Sequence, residues 1–358
     1  MGSCMKKMRI VAFIALVLVL LCIALFAVYT YQVSPIDKNS DASYEVVIES
    51  GMSRSEIGDL LEDKGLIRSA FFFKVYCVVN GNQNLKAATY LFSKNMSMDE
   101  IVESLEGGST HNPNAVRLTF QEGRSVKDYA SLIEENTNIT AAEFLAKVND
   151  VTYLNTLIDK YWFLTDDILN DEIYYKLEGY LAPDTYEFIS SEVTSEQIIE
   201  TMLDQESVLL EPYQDELQGS NIHEIITMAS VVEQEGINDD DRKMIAGVFY
   251  NRLNANMNMG SDVTTYYAFN EEMTGDLTSE MFATYNPYNT RSAEMVGRLP
   301  VGPICNPSIN SIIAALSPTE NDYLYFVADK NGNIYYTRSS AEHESKVAEI
   351  KENGDWIW

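Results

Sequence analysis

The chain has 358 residues, with 25 lysines and arginines against 54 aspartates and glutamates, and a formal charge of −29 at pH 7. That is sequence enough for two domains with packed cores. A surface so acidic, with no basic stripe to interrupt it, repels phosphate backbones and excludes nucleic acid as a partner; the acidity is read as a solubility feature.

Residues 10–31 carry no charge, and "IVAFIALVLVLLCIALFAV" is apolar without a break. As a helix this stretch would reach roughly 33 Å, against a hydrocarbon core of about 30 Å. No small-residue cleavage site follows it, which argues against a signal peptide, and bulky Leu21 before Cys22 argues against a lipoprotein. The stretch predicts a retained single-pass transmembrane helix. Lys6, Lys7 and Arg9 precede it and nothing basic follows until Lys38. The tail 1–9 is therefore expected in the cytoplasm and the rest outside the cell membrane, with Tyr29 and Tyr31 at the outer interface.

Residues 32–43 are polar and proline-containing, a short linker. Over 44–108 the pattern predicts strand ("YEVVIES"), helix ("SRSEIGDLLEDKGLI"), helix ("SAFFFKVYCVVN") and strand ("AATYLFS"), with a closing helix "SMDEIVESLEGG" stopped by glycines. This is a small β-α-α-β module. From 115 to 358 a mixed α+β domain is expected. It opens on a strand at "AVRLTF" and a helix in "QEGRSVKDYASLIEE", and 138–176 reads as helical. "LEGYLAPDTYEFI" reads as a shaped loop rather than an element. The chain is helical again from Ser195 to about Ala255, then loop-rich through "NPYNTRSAEMVGRLPVGPICNP". A helix in "NSIIAALSP", a hairpin turning at Asn-Gly in "YLYFVADKNGNIYYTR" and a last helix from Ser340 complete it. No internal repeat is evident.

Cys77 and Cys305 fall in different predicted domains, so no disulfide framework is expected. His111, His223 and His343 have no paired-ligand spacing, and neither metal nor cofactor is expected. "HEIIT" begins like a zinc-protease motif, but Thr227 stands where its second histidine must be.

The run "ITMASVVEQEG" raises the chemical question. On a helical wheel Ile222, Ile225, Ile226, Met228, Ala229, Val231 and Val232 fill one arc, and Thr227, Ser230 and Gln234 form an opposite, wet face. Glu233 and Glu235 fall on the two flanks of the apolar arc, roughly 160° apart, so they cannot share one substrate atom. They are either solvated at a frayed helix end closed by Gly236, or one of them is a general acid. A glutamate at its reference pKa is protonated only ~0.2% of the time at pH 7. An apolar wall that raised the pKa to about 6 would bring this to ~10%.

Several motifs then fall in a fixed order: "LEGYLAPDTYEF", "MASVVEQEG", "GSDVTTYYA", "YNPYNT", "RLPVGPICNPSINSIIAALSP" and "YLYFVADKNG". Together with the N-terminal span they resemble the endolytic murein transglycosylases, the YceG-like family, nearly from end to end. The small module resembles that family's LysM-like subdomain. The resemblance implies a membrane-anchored enzyme that cuts the MurNAc–GlcNAc β-1,4 bond of peptidoglycan glycan strands, beside penicillin-binding synthases, and leaves 1,6-anhydro-MurNAc ends. Its catalytic residue would be Glu235, the second of the Glu-x-Glu pair. Glu235 would protonate the glycosidic oxygen, then take the proton of the muramoyl C6 hydroxyl as the ring closes. The tethered hydroxyl does what a second carboxylate does in an ordinary glycosidase.

Asp262 orients a sugar or holds a loop, and Thr264 of the same stretch is grouped with the substrate-binding residues. Glu178 and Asp184 shape a cleft floor, by structure or by binding. Tyr288, Asn289, Thr290 and Asn306 suit recognition of N-acetyl amides or serve as loop architecture. Tyr186, Tyr266 and Tyr267 stack on sugars or fill core. The sequence departs from the family pattern at Gly236, where a hydroxyl residue is usual, at Arg291, where an aromatic is usual, and at Ile334, where histidine is frequent. Two other readings stay open: a hydrolytic muramidase with Asp262 as second carboxylate, and a non-catalytic wall-binding scaffold. The product separates the two enzymes, anhydro ends against reducing ends.

Overall fold

The computed structural model describes residues 2–356 apart from 41, 50, 82–84, 108–114 and 189, and apart from the side chains of 2–15, 18 and 25. His111, the last residue of the predicted module and the side chains of Lys6, Lys7 and Arg9 thus lie outside the described residues. The chain divides into two compact units, Met1–Ala115 and Val116–Trp358, in an α+β fold.

The first unit opens with α1 (Gly2–Val33), a helix of 32 residues that contains the stretch 10–31. Among the described residues no helix is long and apolar enough to cross a membrane. Then come β1 (Ser43–Ile48), α2 (Arg54–Asp63), α3 (Ala70–Val79), β2 (Ala88–Ser93) and α4 (Met98–Gly107). β1 and β2 pair antiparallel, with Val46 opposite Tyr90. Alternation along β1 buries Val46 and Ile48 and leaves Val47 outside. Ser53 and Glu56 form a capping box that starts α2, and the Glu62 carboxylate accepts the Ala70 N–H at 2.7 Å to start α3. Leu61, Phe73, Phe92 and Ile101 fill the core.

The second unit runs β3 (Val116–Thr119), α5 (Val126–Asn136), α6 (Ala141–Val148), α7 (Val151–Lys160), β4 (Thr185–Phe188), α8 (Ser195–Leu210), α9 (Gln214–Gln218), α10 (Ile222–Glu235), α11 (Asp239–Asn254), α12 (Asp262–Phe269), α13 (Ser279–Ala283), α14 (Ile309–Leu316), β5 (Tyr325–Ala328), β6 (Ile334–Thr337) and α15 (Ser340–Glu352). Capping boxes at Ser125, Thr140 and Thr194 set the starts of α5, α6 and α8. β5 and β6 form the expected hairpin. Asp329 accepts the N–H groups of Asn331 and Asn333 across its turn, and Gly332 takes φ 82° there.

Three expectations are corrected. The second half of "LEGYLAPDTYEFI" is a strand, β4, antiparallel to β3 with Leu118 opposite Tyr186; its partner lies too far back in sequence for local patterning to show it. The stretch after Ala255 is not all loop, since α12 follows Ser261 and ends at Asn270 in the left-handed conformation, φ 53°. And the face of α10 that carries Thr227, Ser230 and Gln234 is not wet. The helix packs against α11, α12 and α14, and Thr227 and Ser230 are as buried as Met228 and Val231. Ser230 and Gln234 of that face meet loops instead of water. Ser230 Oγ donates to the Thr227 carbonyl at 2.7 Å and accepts the Ile304 N–H at 3.0 Å. Gln234 Nε2 donates to the Gly123 carbonyl at 2.5 Å.

Candidate functional site

α10 delivers its last turn to an edge where the two glutamates part. Glu233 turns inward. Its Oε2 accepts the Ser308 N–H at 3.0 Å and the Ser308 and Ser311 hydroxyls at 2.6 Å each, at the N-terminus of α14. Its Oε1 accepts Arg242 Nη2 at 3.2 Å. With three donors on Oε2, one on Oε1 and its charge complementing a helix start, Glu233 is a structural anchor.

Among the described residues the Glu235 carboxyl has one hydrogen-bond partner. Ser261 Oγ donates to its Oε1 at 2.6 Å, and the residue keeps part of its surface toward solvent. Desolvation raises its pKa above the ordinary carboxylate value; the Ser261 hydroxyl opposes this, the nearby negative charge of Asp262 adds to it, and Arg291 opposes it. The carboxyl is thus biased toward its protonated form.

Under Glu235 lies a knot of buried hydroxyls. The Ser261 N–H donates to Thr290 Oγ1 at 3.1 Å, Thr264 Oγ1 donates to the Ser261 carbonyl at 2.7 Å, and the two threonine hydroxyls are 2.8 Å apart. This knot fixes Ser261 and, through it, the Glu235 rotamer. Beside it the Arg291 guanidinium bonds the Asp262 carboxylate and lies 4.8 Å over the Phe282 ring. Both charged side chains are about half exposed.

Of the residues grouped with the binding set, Asp262 alone reaches solvent; Glu178, Thr264, Tyr288, Asn289, Thr290 and Asn306 are fully buried. Their polar atoms are spent inside the protein, which fits the architectural alternative rather than direct contact. Asn306 Oδ1 accepts the N–H groups of Gly179 and Leu181 at 3.0 and 3.2 Å, while its Nδ2 donates to the Arg124 carbonyl and to Glu178. Glu178 also accepts the Val126 N–H at 2.8 Å, at the start of α5, and the Tyr267 hydroxyl at 3.0 Å. Burial pushes its pKa up to about 8 against the pull of these donors. Gly179, at φ 89°, is needed here, because a Cβ would sit 2.5 Å from Pro303. Asn289 spans Thr265 and the carbonyls of Met281 and Thr284. Tyr288 packs between Tyr174 and Tyr267. Asp184 is exposed at the start of β4 and bonded to Gln205. Tyr186 is core, and the partly buried Tyr266 donates to the Gly275 carbonyl.

The departures from the family pattern acquire reasons. Gly236 leaves room for α11, since a Cβ there would lie 2.5 Å from Arg242 Cγ and 3.2 Å from its Cα. Arg291 is the counter-ion of Asp262. Ile334 opens β6 opposite Ala328. Ser261 is the site residue that sequence reasoning passed over, although it stands directly before Asp262 in "GSDVTT". His223 lies at the far end of α10, roughly 18 Å from Glu235 along the helix. It sits between the Tyr180 hydroxyl at 2.8 Å and the Val301 carbonyl at 3.0 Å, beside an open depression of about 540 Å³.

A protein-family profile described as the YceG-like family matches residues 46–349. An endolytic murein transglycosylase of Bacillus subtilis strain 168 is 34% identical over 312 residues, 86% of this chain and 85% of the relative. The protein of the same name in Streptococcus pneumoniae strain D39 is 35% identical over 335 residues, 88% of this chain. This chain spans 60% of the length of that pneumococcal relative. The crystal structure of a yceG-like protein from Listeria monocytogenes superposes with a TM-score of 0.61 at 37% identity, covering 85% of this chain and 99% of the other. By profile, by relatives and by fold, the chain belongs to the YceG-like family.

Proposed function

We propose that the protein is an endolytic peptidoglycan lytic transglycosylase with Glu235 as its single acid–base residue. The observation that carries this is the largely buried Glu235 carboxyl, held by Ser261 at 2.6 Å and biased toward protonation. The names of the relatives supply the substrate. Glu235 gives its proton to the glycosidic oxygen as the bond from muramoyl C1 breaks. The C6 hydroxyl of the same sugar then closes on C1, and its proton returns to Glu235. No water is consumed and the enzyme ends as it began. Asp262, paired with Arg291, is poorly placed to act as the second carboxylate of a hydrolase. Mass spectrometry of digested, purified peptidoglycan tests the reading: 1,6-anhydro ends support it, and reducing ends replace it with a muramidase.

In this reading α1 is a single-pass anchor with its N-terminus in the cytoplasm and both later units outside. Support comes from the exposure of Leu20, Ile23 and Phe26, each more than half open along the helix. The module 44–108 is LysM-like and grips glycan, and penicillin-binding synthases supply the strands. Protection of the C-terminus from protease on intact spheroplasts would overturn the topology. Failure of the full chain to co-purify with a wall synthase after crosslinking would remove that partner.

A further inference from the structure

Helix α3 has an outer face that its own unit leaves uncovered. Its inner residues Phe73, Tyr76 and Cys77 close the core of the first unit. On the other side Phe71, Val78 and Val79 are 68%, 61% and 71% exposed, and their spacing lines them along one side of the helix. Lys74 is exposed and is the only charged residue in α3. Helices α2 and α4 differ: Asp59, Asp63, Glu100 and Glu103 stand exposed on them. An acid-free apolar strip thus lies on an otherwise acidic unit.

The strip adjoins the end of α1. Tyr29 and Val33 of α1 pack against the core that α3 closes, and α3 touches α1 directly. Arg68, just before the Ser69 cap of α3, donates to the carbonyls of Tyr31, Ser34 and Pro35 and lies 4.6 Å over the Tyr31 ring. The turns of α1 before this clamp expose an apolar surface at Ile23, Phe26 and Val28. The apolar turns of α1 therefore lead to a joint, packed by Tyr29 and Val33 and clamped by Arg68, at which α3 begins.

We propose that α3 lies on the outer leaflet of the membrane that α1 spans, with Phe71, Val78 and Val79 at the acyl boundary and Lys74 reaching headgroup phosphates. The proposal rests on the reading of α1 as an anchor. Three apolar side chains are too few to hold a free protein on a bilayer, but α1 already delivers them to the surface, so the contact forms at high effective concentration. An ammonium on a long stem suits this depth, and anionic lipid attracts it where acidic helices would be repelled. A second protein is a poorer occupant, because a partner here would have to share the strip with lipid around α1.

The test uses the full chain reconstituted in phosphatidylglycerol–phosphatidylethanolamine vesicles. A photoreactive benzophenone amino acid replaces, one at a time, Phe71, Val78, Leu20 in α1, and Val208, which is exposed in the second unit. Lipid adducts are expected at Phe71, Val78 and Leu20 and not at Val208. Adducts at Leu20 with none, or only protein adducts, at Phe71 and Val78 would overturn the proposal and leave the anchor standing. Loss of adducts at Leu20 as well would overturn both, and adducts at Val208 would show the labelling to be indiscriminate and refute the contact. Lys74→Glu is expected to cut the Phe71 and Val78 yields several-fold while sparing Leu20; unchanged yields would refute the role of Lys74.

Discussion

Ser261 donates its hydroxyl to Glu235 from the position directly before Asp262, whose carboxylate is bonded to Arg291. A carboxyl, its orienting hydroxyl and a balanced charge pair are therefore carried on two short stretches of chain, 261–262 and 290–291, meeting the end of α10.

Glu235→Gln keeps the shape and removes the titrating proton. Release of anhydro products should fall ~10²–10⁴-fold, as for loss of a general acid–base group. The melting temperature should hold or rise, because a carboxyl whose ionised form burial disfavours is replaced by an amide. Turnover and thermal melts on one preparation check both halves. Retained activity would rule out Glu235 as the acid.

Glu233→Gln should do the reverse. The amide cannot hold both Arg242 and the start of α14, so stability should drop by about 1–3 kcal/mol, the range for hydrogen bonds to charged groups. Turnover per folded molecule should stay near wild type. Urea melts with activity normalised to folded fraction decide it.

The charge pair predicts opposite shifts in the pH profile. With Glu235 as the proposed acid, it must be protonated to begin the reaction, so activity should fall as pH rises through its pKa. Asp262 raises that pKa and Arg291 lowers it. Asp262→Asn should move the falling limb of kcat/KM to lower pH, and Arg291→Met should move it to higher pH. Shifts in the same direction would refute the electrostatic account.

Gly236→Ala should cost about 1–3 kcal/mol by forcing α11 away from the end of α10, the usual cost of overpacking. Since Arg242 is both the atom struck and the partner of Glu233, the double change with Glu233→Gln should cost less than the sum. A double-mutant cycle by chemical denaturation measures the coupling.

Alkaline stability should depend on Glu206. It is buried in α8, its Oε1 meets no hydrogen-bond partner among the described residues, and burial pushes its pKa up to about 8. A carboxyl whose folded pKa is raised contributes stability in full below its unfolded pKa, and that contribution is lost as pH rises through the folded value. Melting temperature should therefore decline toward pH 8, with Glu178 adding to the slope. Glu206→Gln should flatten the decline.

What the sequence made legible was local. Period-two alternation in β1 and the Asn-Gly turn were readable, because each is decided within a few residues. The flank geometry of Glu233 and Glu235 was readable too, since a helix fixes it. Hidden were features decided by distant partners. Ser230 looks solvent-facing until Ile304 arrives to bond it, β4 looks like a loop until β3 pairs with it, and Thr264 and Thr290 look like binding groups until each is seen to fill the other's hydrogen bonds. Tyrosine and asparagine in dense loops cannot be told apart as ligand-facing or inward-facing by spacing alone.

Asn306 also has a consequence for how the molecule comes into being. Its amide joins Arg124, Glu178, Gly179 and Leu181, stretches made more than a hundred residues earlier. Synthesis runs from the N-terminus, so until residue 306 emerges the 178–181 loop lacks the side chain that fixes it. Glu233 waits likewise for Ser308 and Ser311. Contacts of such long sequence separation form late and slowly. The proposed catalytic centre therefore lacks the side chains that brace it until residues 306–311 have been made.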